Sequence, residues 1–335
     1  MAILSTNNPT LLDVAKRTDP DGTIAQIVEL LQEQNEILLD MGWTPGNLPT
    51  GHKTTVRTGL PEPTWRKLYG GVQPSKSTTV QVTDTIGNLE AYAEVDKDLA
   101  DLNGNTEAFR VSEDTPHIEG MNQEMAETLF YGSEITAPEE FTGLAPRFNS
   151  LSAENADQII DHGDSSDLTS IWCIVWGPQT AHGIYGKGFN AGLQMKDLGE
   201  VTVENVDSNG GRAQMYRSHY KWQAGLTVRD WRYISRVANI DTSTSGIFDP
   251  ATNFANAQAL INSMVQAAER IRSFGLGRPV WYVNRKVREA LRLGILNKIA
   301  NNLTWETVEG RRVMVFDDMP VRRTDALVNT ETQVS

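Results

Sequence analysis

Cysteine is almost missing. The 335 residues hold one, Cys173, so no disulfide can form within the chain. It lies inside the apolar run IWCIVW, where a small buried hydrophobe is expected and not a reactive thiol. Histidine is scarce too. Positions 52, 117, 162, 182 and 219 show no paired spacing of the HExxH kind, and no GxSxG elbow occurs, which removes the usual supports for zinc hydrolysis and serine chemistry. Gly186-Lys187-Gly188 lacks the first glycine and the following Ser or Thr of a phosphate loop and reads as a turn. Asp161, His162, Asp164 and Asp167 in DHGDSSD have loop composition without ligand spacing. With 43 carboxylates, chance pairs are inevitable and none stands out as an acid and base. No catalytic residue, cofactor site or metal site is therefore nominated, and the chain is expected not to be an enzyme. No stretch approaches the roughly 18 consecutive apolar residues of a membrane span, and the N-terminus lacks a charged region before an apolar one. Synthesis in the cytoplasm and no membrane partner are expected.

Charge is abundant, and it is unevenly spread. The net charge is −13, which argues against a broad basic face for nucleic acid. Residues 1–50 carry −5 and residues 51–82 carry +4. Residues 83–140 hold fifteen carboxylates against two cations, a net of −13. Residues 141–210 carry −6 and 211–335 carry +7. The arginines of the last third could touch phosphate, but no aromatics stand at stacking intervals, so pairing with acidic surface of this chain or a neighbour is the preferred expectation.

The length exceeds the size at which one core usually stops growing, so two lobes or a body with long extensions is expected. Residues 1–21 are polar, with Pro9 and Pro20, and read as an arm. From Thr23 the apolar spacing of Ile24, Ile27, Val28, Leu31 and Leu38 predicts an amphipathic helix stopped at Gly42. Residues 43–95 read as two long strands rich in Val and Thr around a tip, LPEPTWRKLYGG. An isolated two-stranded ribbon is marginal in water, so another subunit is expected to supply the surface it lies on. A long acidic helix dominates 105–131, with Ile118, Met121, Met125 and Leu129 as its stripe. Thr115 and Pro116 suit its N-cap and first position, or else Pro116 kinks a helix that begins earlier. Then come a strand in TSIWCIVWG, a β meander over 198–240 turning at SNGG, and a helix capped by Asp249 and opened by Pro250. The strand PVWYV leads through Asn284 into another helix, and WETVEGRRVMVF is β again.

This order resembles the major capsid proteins of tailed double-stranded DNA phages. The echoes are DKDLADL before the long helix, LFYGSE and FTGL after it, VWYVNRKVREAL, and GRRVMVFDDMPVRRTDALV. The chain is most similar to those of epsilon15-type short-tailed phages. The resemblance implies an α+β, HK97-like capsid fold: N-terminal arm 1–47, E-loop hairpin 48–95, P domain with spine helix 96–154, and A-domain parts 155–200 and 250–310. A connecting β segment at 201–249 and a C-terminal β segment at 311–335 complete it, and the β segment before VWYVN implies altered strand order. Implied partners are further copies of the chain in hexamers and pentamers, a scaffolding protein, a cement protein, a portal, and packaged double-stranded DNA held on the inner face without sequence specificity. The family's cross-link would use a lysine in the region of Lys67 or Lys76, but neither its supporting Glu nor its acceptor can be matched, and the reaction is not carried over.

Self-assembly into an icosahedral head shell is thus the expectation. An encapsulin-like nanocompartment is the alternative, and a soluble hydrolase with an unrecognised site is a third reading. The basic hairpin, through Lys53, Arg57, Trp65, Arg66, Lys67, Leu68, Tyr69 and Lys76, is expected to contact the acidic spine region of an adjacent subunit.

Overall fold

The structure is a computed structural model that describes residues 9, 33, 35–104, 106–163, 166–204, 211–243, 246–247, 255–296, 303–308 and 311–335. The chain divides into two compact units. One comprises Met1–Gln34, Asn88–Ala126 and Gly192–Gln223, and the other Asn35–Gly87, Glu127–Ala191 and Ala224–Ser335.

The larger unit is built on β6 (Leu168–Trp176), whose nine residues are all buried. Burial on both faces explains why this strand reads as an unbroken apolar run instead of an alternation. It pairs antiparallel with β10 (Ile234–Asp241) and with β11 (Arg278–Val283). Beyond β11 the order continues through β14 (Met319–Arg323), β13 (Arg311–Phe316) and β12 (Leu303–Val308). On one face Ile171, Cys173 and Val175 join Leu260, Ile261, Met264 and Ala268 of α4 (Ala255–Arg270) and Val287 and Leu291 of α5 (Arg285–Leu296). On the other face Trp172 meets Phe130 and Phe148, and Trp176 donates a 2.8 Å hydrogen bond to the Tyr282 hydroxyl. Cys173 is fully buried, and burial pushes its thiol up, as an inert core residue requires.

The C-terminal segment is tied down by a buried ion pair. Arg236 donates to Glu331 at 2.8 Å and to the Phe148 carbonyl at 2.6 Å, with its guanidinium 5.0 Å from the Trp172 ring centre. Asn239, in the left-handed region at φ 58, donates to the Val334 carbonyl and accepts from its N–H, both at 2.9 Å.

The smaller unit carries most of α3 (Thr106–Tyr131) and a set of long strands. These are β4 (Gly87–Asp96), β8 (Leu193–Glu204) and β9 (Arg212–Val228), with β9 paired to both of the others. Met121 of α3 packs with Ala93 and Tyr220, and Phe109 packs with Val95 and Ala100 of the short helix α2 (Lys97–Ala100).

Several expectations need correction or placing. Thr115 and Pro116 do not open the long helix, which is already continuous from Thr106. Thr115 instead bonds back to the Val111 carbonyl at 2.9 Å, the habit of a mid-helix threonine. Ile118 is 41% exposed and leaves the stripe, while Met121, Met125 and Leu129 are buried. In the N-terminal helix expected from Thr23, helix is described only at α1 (Ile37–Asp40) before the chain extends at Met41, and the rest lies outside the described residues. The SNGG turn and the Asp249–Pro250 helix start also lie largely outside them. Asn284 does cap α5, its side-chain oxygen accepting from the Val287 N–H at 2.9 Å. Gly186–Phe189 forms a turn with Gly188 at φ 91. In the acidic loop, Asp161 accepts from Gly163 and Asn239, and His162 faces Ser263 at 3.1 Å. Among the described residues no helix is long and apolar enough to cross a membrane.

Candidate inter-subunit interface

The hairpin stands on its own as a two-stranded sheet. β2 (Gly51–Gly59) pairs antiparallel with β3 (Thr78–Thr85), from Gly51 opposite Thr85 to Gly59 opposite Thr78. Its strands, of nine and eight residues, span ~30 Å. Only its root is buried, at Gly51, His52 and Asp84. Past that point both faces meet solvent, and Val80 and Val82 are 50% and 40% exposed. A ribbon with two wet faces has no core of its own to hold it.

The tip is more exposed still. Residues 60–77 have no strand or helix, and one tight turn closes where the Gly70 N–H donates to the Lys67 carbonyl at 3.0 Å with Tyr69 at φ 61. Ser75 donates to the Glu62 carbonyl at 3.1 Å across the loop. Trp65 and Tyr69 are as open as in an extended chain, at 102% and 104%, and Leu68 is 85% exposed. Lys53, Arg57, Arg66, Lys67 and Lys76 are all exposed, and none joins an ion pair among the described residues. The eight residues named from sequence thus share one projecting element. They form two groups, an apolar and basic tip (Trp65–Tyr69) and a basic stem (Lys53, Arg57, Lys76).

The root is where sequence reasoning found nothing. Asp84, 4% exposed, accepts from Arg147 at 2.9 Å and from the Thr227 hydroxyl. Arg147 also donates to the carbonyls of Thr142 at 3.1 Å and Leu226 at 3.2 Å. His52 takes a 3.0 Å contact from Arg229, and its ring meets His182 edge-on at 6.2 Å between centres. Burial and the Arg229 charge hold both imidazoles below their usual range, His182 at about 4. Gly225 is required here, because a methyl group on it would lie 2.5 Å from the Thr85 carbonyl oxygen. Asn47 clamps the stem, accepting from the Lys53 N–H at 2.8 Å and donating to its carbonyl at 2.7 Å.

The acidic segment is partly spent within its own chain. Glu90 takes Lys221 at 2.7 Å, Glu94 takes Arg217 at 2.5 Å, and Asp84 takes Arg147. Asp96 caps α2 through the N–H groups of Asp98 and Leu99. Asp98, Glu107, Glu127 and Glu139 are exposed, and among the described residues none of them joins an ion pair.

Residues 19–335 match the family described as "Major capsid protein GP7". The chain belongs to that family. A cryo-EM structure of bacteriophage Epsilon15 is 39% identical, with a TM-score of 0.78, covering 100% of this chain and 99% of that one. The capsid of bacteriophage JBD30 is 11% identical with a TM-score of 0.47, covering 89% of this chain and 92% of that one. The SrpI encapsulin complex from Synechococcus elongatus PCC 7942 is 12% identical with a TM-score of 0.43, covering 69% and 96%. Both stand too far off to carry an argument. Among curated proteins none matches. This capsid protein is a structural subunit of a tailed-phage head shell, not an enzyme, and its fold is a mixed α/β capsid fold shared with the Epsilon15 structure. It associates with copies of itself in that shell and is a component of the virion.

Proposed function

We propose that residues 48–95 are the E-loop region of this capsid protein and that its hairpin, residues 51–85, completes its fold on an adjacent subunit, lying across the acidic 83–140 segment of that subunit. The supporting observation is the combination of a ribbon wet on both faces with five exposed cations along it, none of them in an ion pair among the described residues, and three exposed large side chains at its tip. Exposed ion pairs contribute only ~0–1 kcal/mol each, so charge supplies register and approach while Trp65, Leu68 and Tyr69 supply most of the grip. On this reading 1–47 is the arm, 48–95 the E-loop region, 96–154 the P domain, 155–200 and 250–310 the A domain, 201–249 a connecting β segment and 311–335 the closing β segment. Hexamers and pentamers form the icosahedral shell, a separate scaffolding protein and portal guide it, a cement protein reinforces it, and a net negative wall avoids trapping the double-stranded DNA it encloses.

The test is the Arg66→Glu, Lys67→Glu double variant. The subunit should keep its circular dichroism and melting temperature while shell yield, counted by electron microscopy and sedimentation, falls at least tenfold. Shells of unchanged yield and salt tolerance would sink the proposal.

A further inference from the structure

The joint between the hairpin and the body is made where one strand pair meets another. On the hairpin, His52 of β2 stands directly opposite Asp84 of β3. On the body, β7 (Ala181–Tyr185) pairs antiparallel with β9, and His182 stands opposite Thr227. The two pairs engage residue for residue, the His52 and His182 rings edge-on at 6.2 Å between centres and the Thr227 hydroxyl donating to Asp84.

The two halves of this joint are bonded differently. The Asp84 half is an ion pair: Arg147 reaches the carboxylate at 2.9 Å and is itself fixed by the carbonyls of Thr142, Gly143 and Leu226. Glu134 faces the same strand end, accepting from the Thr85 hydroxyl at 2.9 Å. The His52 half depends on neutral rings. Arg229 can only donate, so its 3.0 Å bond requires an unprotonated Nε2 on His52. His52 and His182 are 8% and 2% exposed, and the Nδ1 of each is buried without a hydrogen-bond partner. A proton taken from solvent by either ring therefore sets a second cation beside Arg229 or creates a buried donor with nothing to accept it. Burial opposes that proton most, then Arg229, and Asp84, which favours it, is already engaged by Arg147 and Thr227.

We propose that this joint is an acid-opened hinge: protonation of the His52 and His182 pair frees the β2 side of the root while Asp84 keeps the β3 side pinned, and the hairpin swings on Asp84. Released into water, either ring takes up its proton more readily than in the joint. Opening therefore begins as pH falls below the ordinary 6.5 of histidine and grows toward 4, where His182 is held in the closed joint. A swing of about 20° on a ribbon ~30 Å long carries the Trp65–Tyr69 tip about 10 Å, enough to change which surface it meets.

Nitroxide labels at Tyr69→Cys on the tip and Asp157→Cys on the body, both exposed positions, report the angle of the hairpin by pulsed electron resonance in the unassembled full-length subunit, since the buried Cys173 stays unlabelled. One narrow distance is expected at neutral pH, and a second population displaced by about 10 Å should grow as pH falls from 6.5 toward 4. A control pair within the body, Asp157→Cys with Arg285→Cys, should not move. His52→Gln combined with His182→Gln should keep the single population throughout. Arg229→Gln, which leaves both rings in place and removes the charge facing them, should shrink the displaced population and serves if the histidine variant does not fold. Arg147→Gln removes the pin and should broaden the distance already at neutral pH. A wild-type distance that stays single down to pH 4, a displaced population undiminished in the histidine or Arg229 variants, a control pair that shifts in parallel, or an Arg147→Gln distance as narrow as the wild type's would each overturn the proposal.

Discussion

Asp84 decides how firmly the hairpin is rooted. It is buried, and Arg147 and Thr227 satisfy its oxygens from points 63 and 143 residues further along the chain. Removing Arg147 strands that carboxylate, so Arg147→Ala should cost about 2–4 kcal/mol, read from the urea midpoint of the unassembled subunit. The hairpin should also be cut faster by protease. His182 gives a pH dependence of definite sign. Its folded-state value of about 4 lies below the ordinary 6.5, so between those values the unfolded chain binds more protons. Its contribution is therefore complete above pH 6.5 and is lost as pH falls toward 4. Burial first, then the Arg229 charge and His52, disfavour the proton, and the Gly177 backbone and Asp84 pull the other way. His182→Asn should flatten the fall in melting temperature over that window. Nothing in sequence could disclose this cluster, because its members are brought together only by strand pairing between distant segments. The exposed residues were legible for the opposite reason. Lys53, Arg57, Trp65, Arg66, Lys67 and Lys76 stand in a local Pro- and Gly-rich hairpin, where neighbours in sequence are neighbours in space.

Among elements, legibility followed the strength of local signals. β6 is an apolar run bounded by polar residues, and α5 follows a capping asparagine, so both fall where expected. For the spine helix the sequence leaves two starts open, at Thr115-Pro116, the signature of a helix start, or earlier with Pro116 inside, and the helix takes the earlier one, ten residues upstream, where Phe109 packs with Val95 and Ala100. Pro116 consequently denies a partner to the Ser112 carbonyl one turn back. Pro116→Ala should restore that bond and stabilise the subunit by about 1–3 kcal/mol, measured by chemical denaturation. An unchanged midpoint would mean that the helix has already relaxed around the proline. The hairpin shows the converse relation between pattern and packing. Its alternation of valine with polar residues is that of a half-buried strand, but among the described residues nothing covers either face of its outer part.

For the whole molecule, the order of elements and the polarised charge were readable from sequence, and family membership was legible in short motifs spread over the chain. The division of the carboxylates was not. Lys221, Arg217 and Arg147 take up Glu90, Glu94 and Asp84, while Asp98, Glu107, Glu127 and Glu139 are exposed and in no ion pair among the described residues; on the proposed reading these are the anions a neighbour meets. The central claim is that residues 51–85 are unfinished in the lone subunit and become ordered against another copy. Hydrogen exchange compared between unassembled subunits and purified shells tests it most directly. The account predicts rapid exchange over residues 54–82 in the subunit and at least hundredfold protection in the shell, with His52 and Asp84 already protected in both. Equal exchange rates over 54–82 in the two states would contradict it.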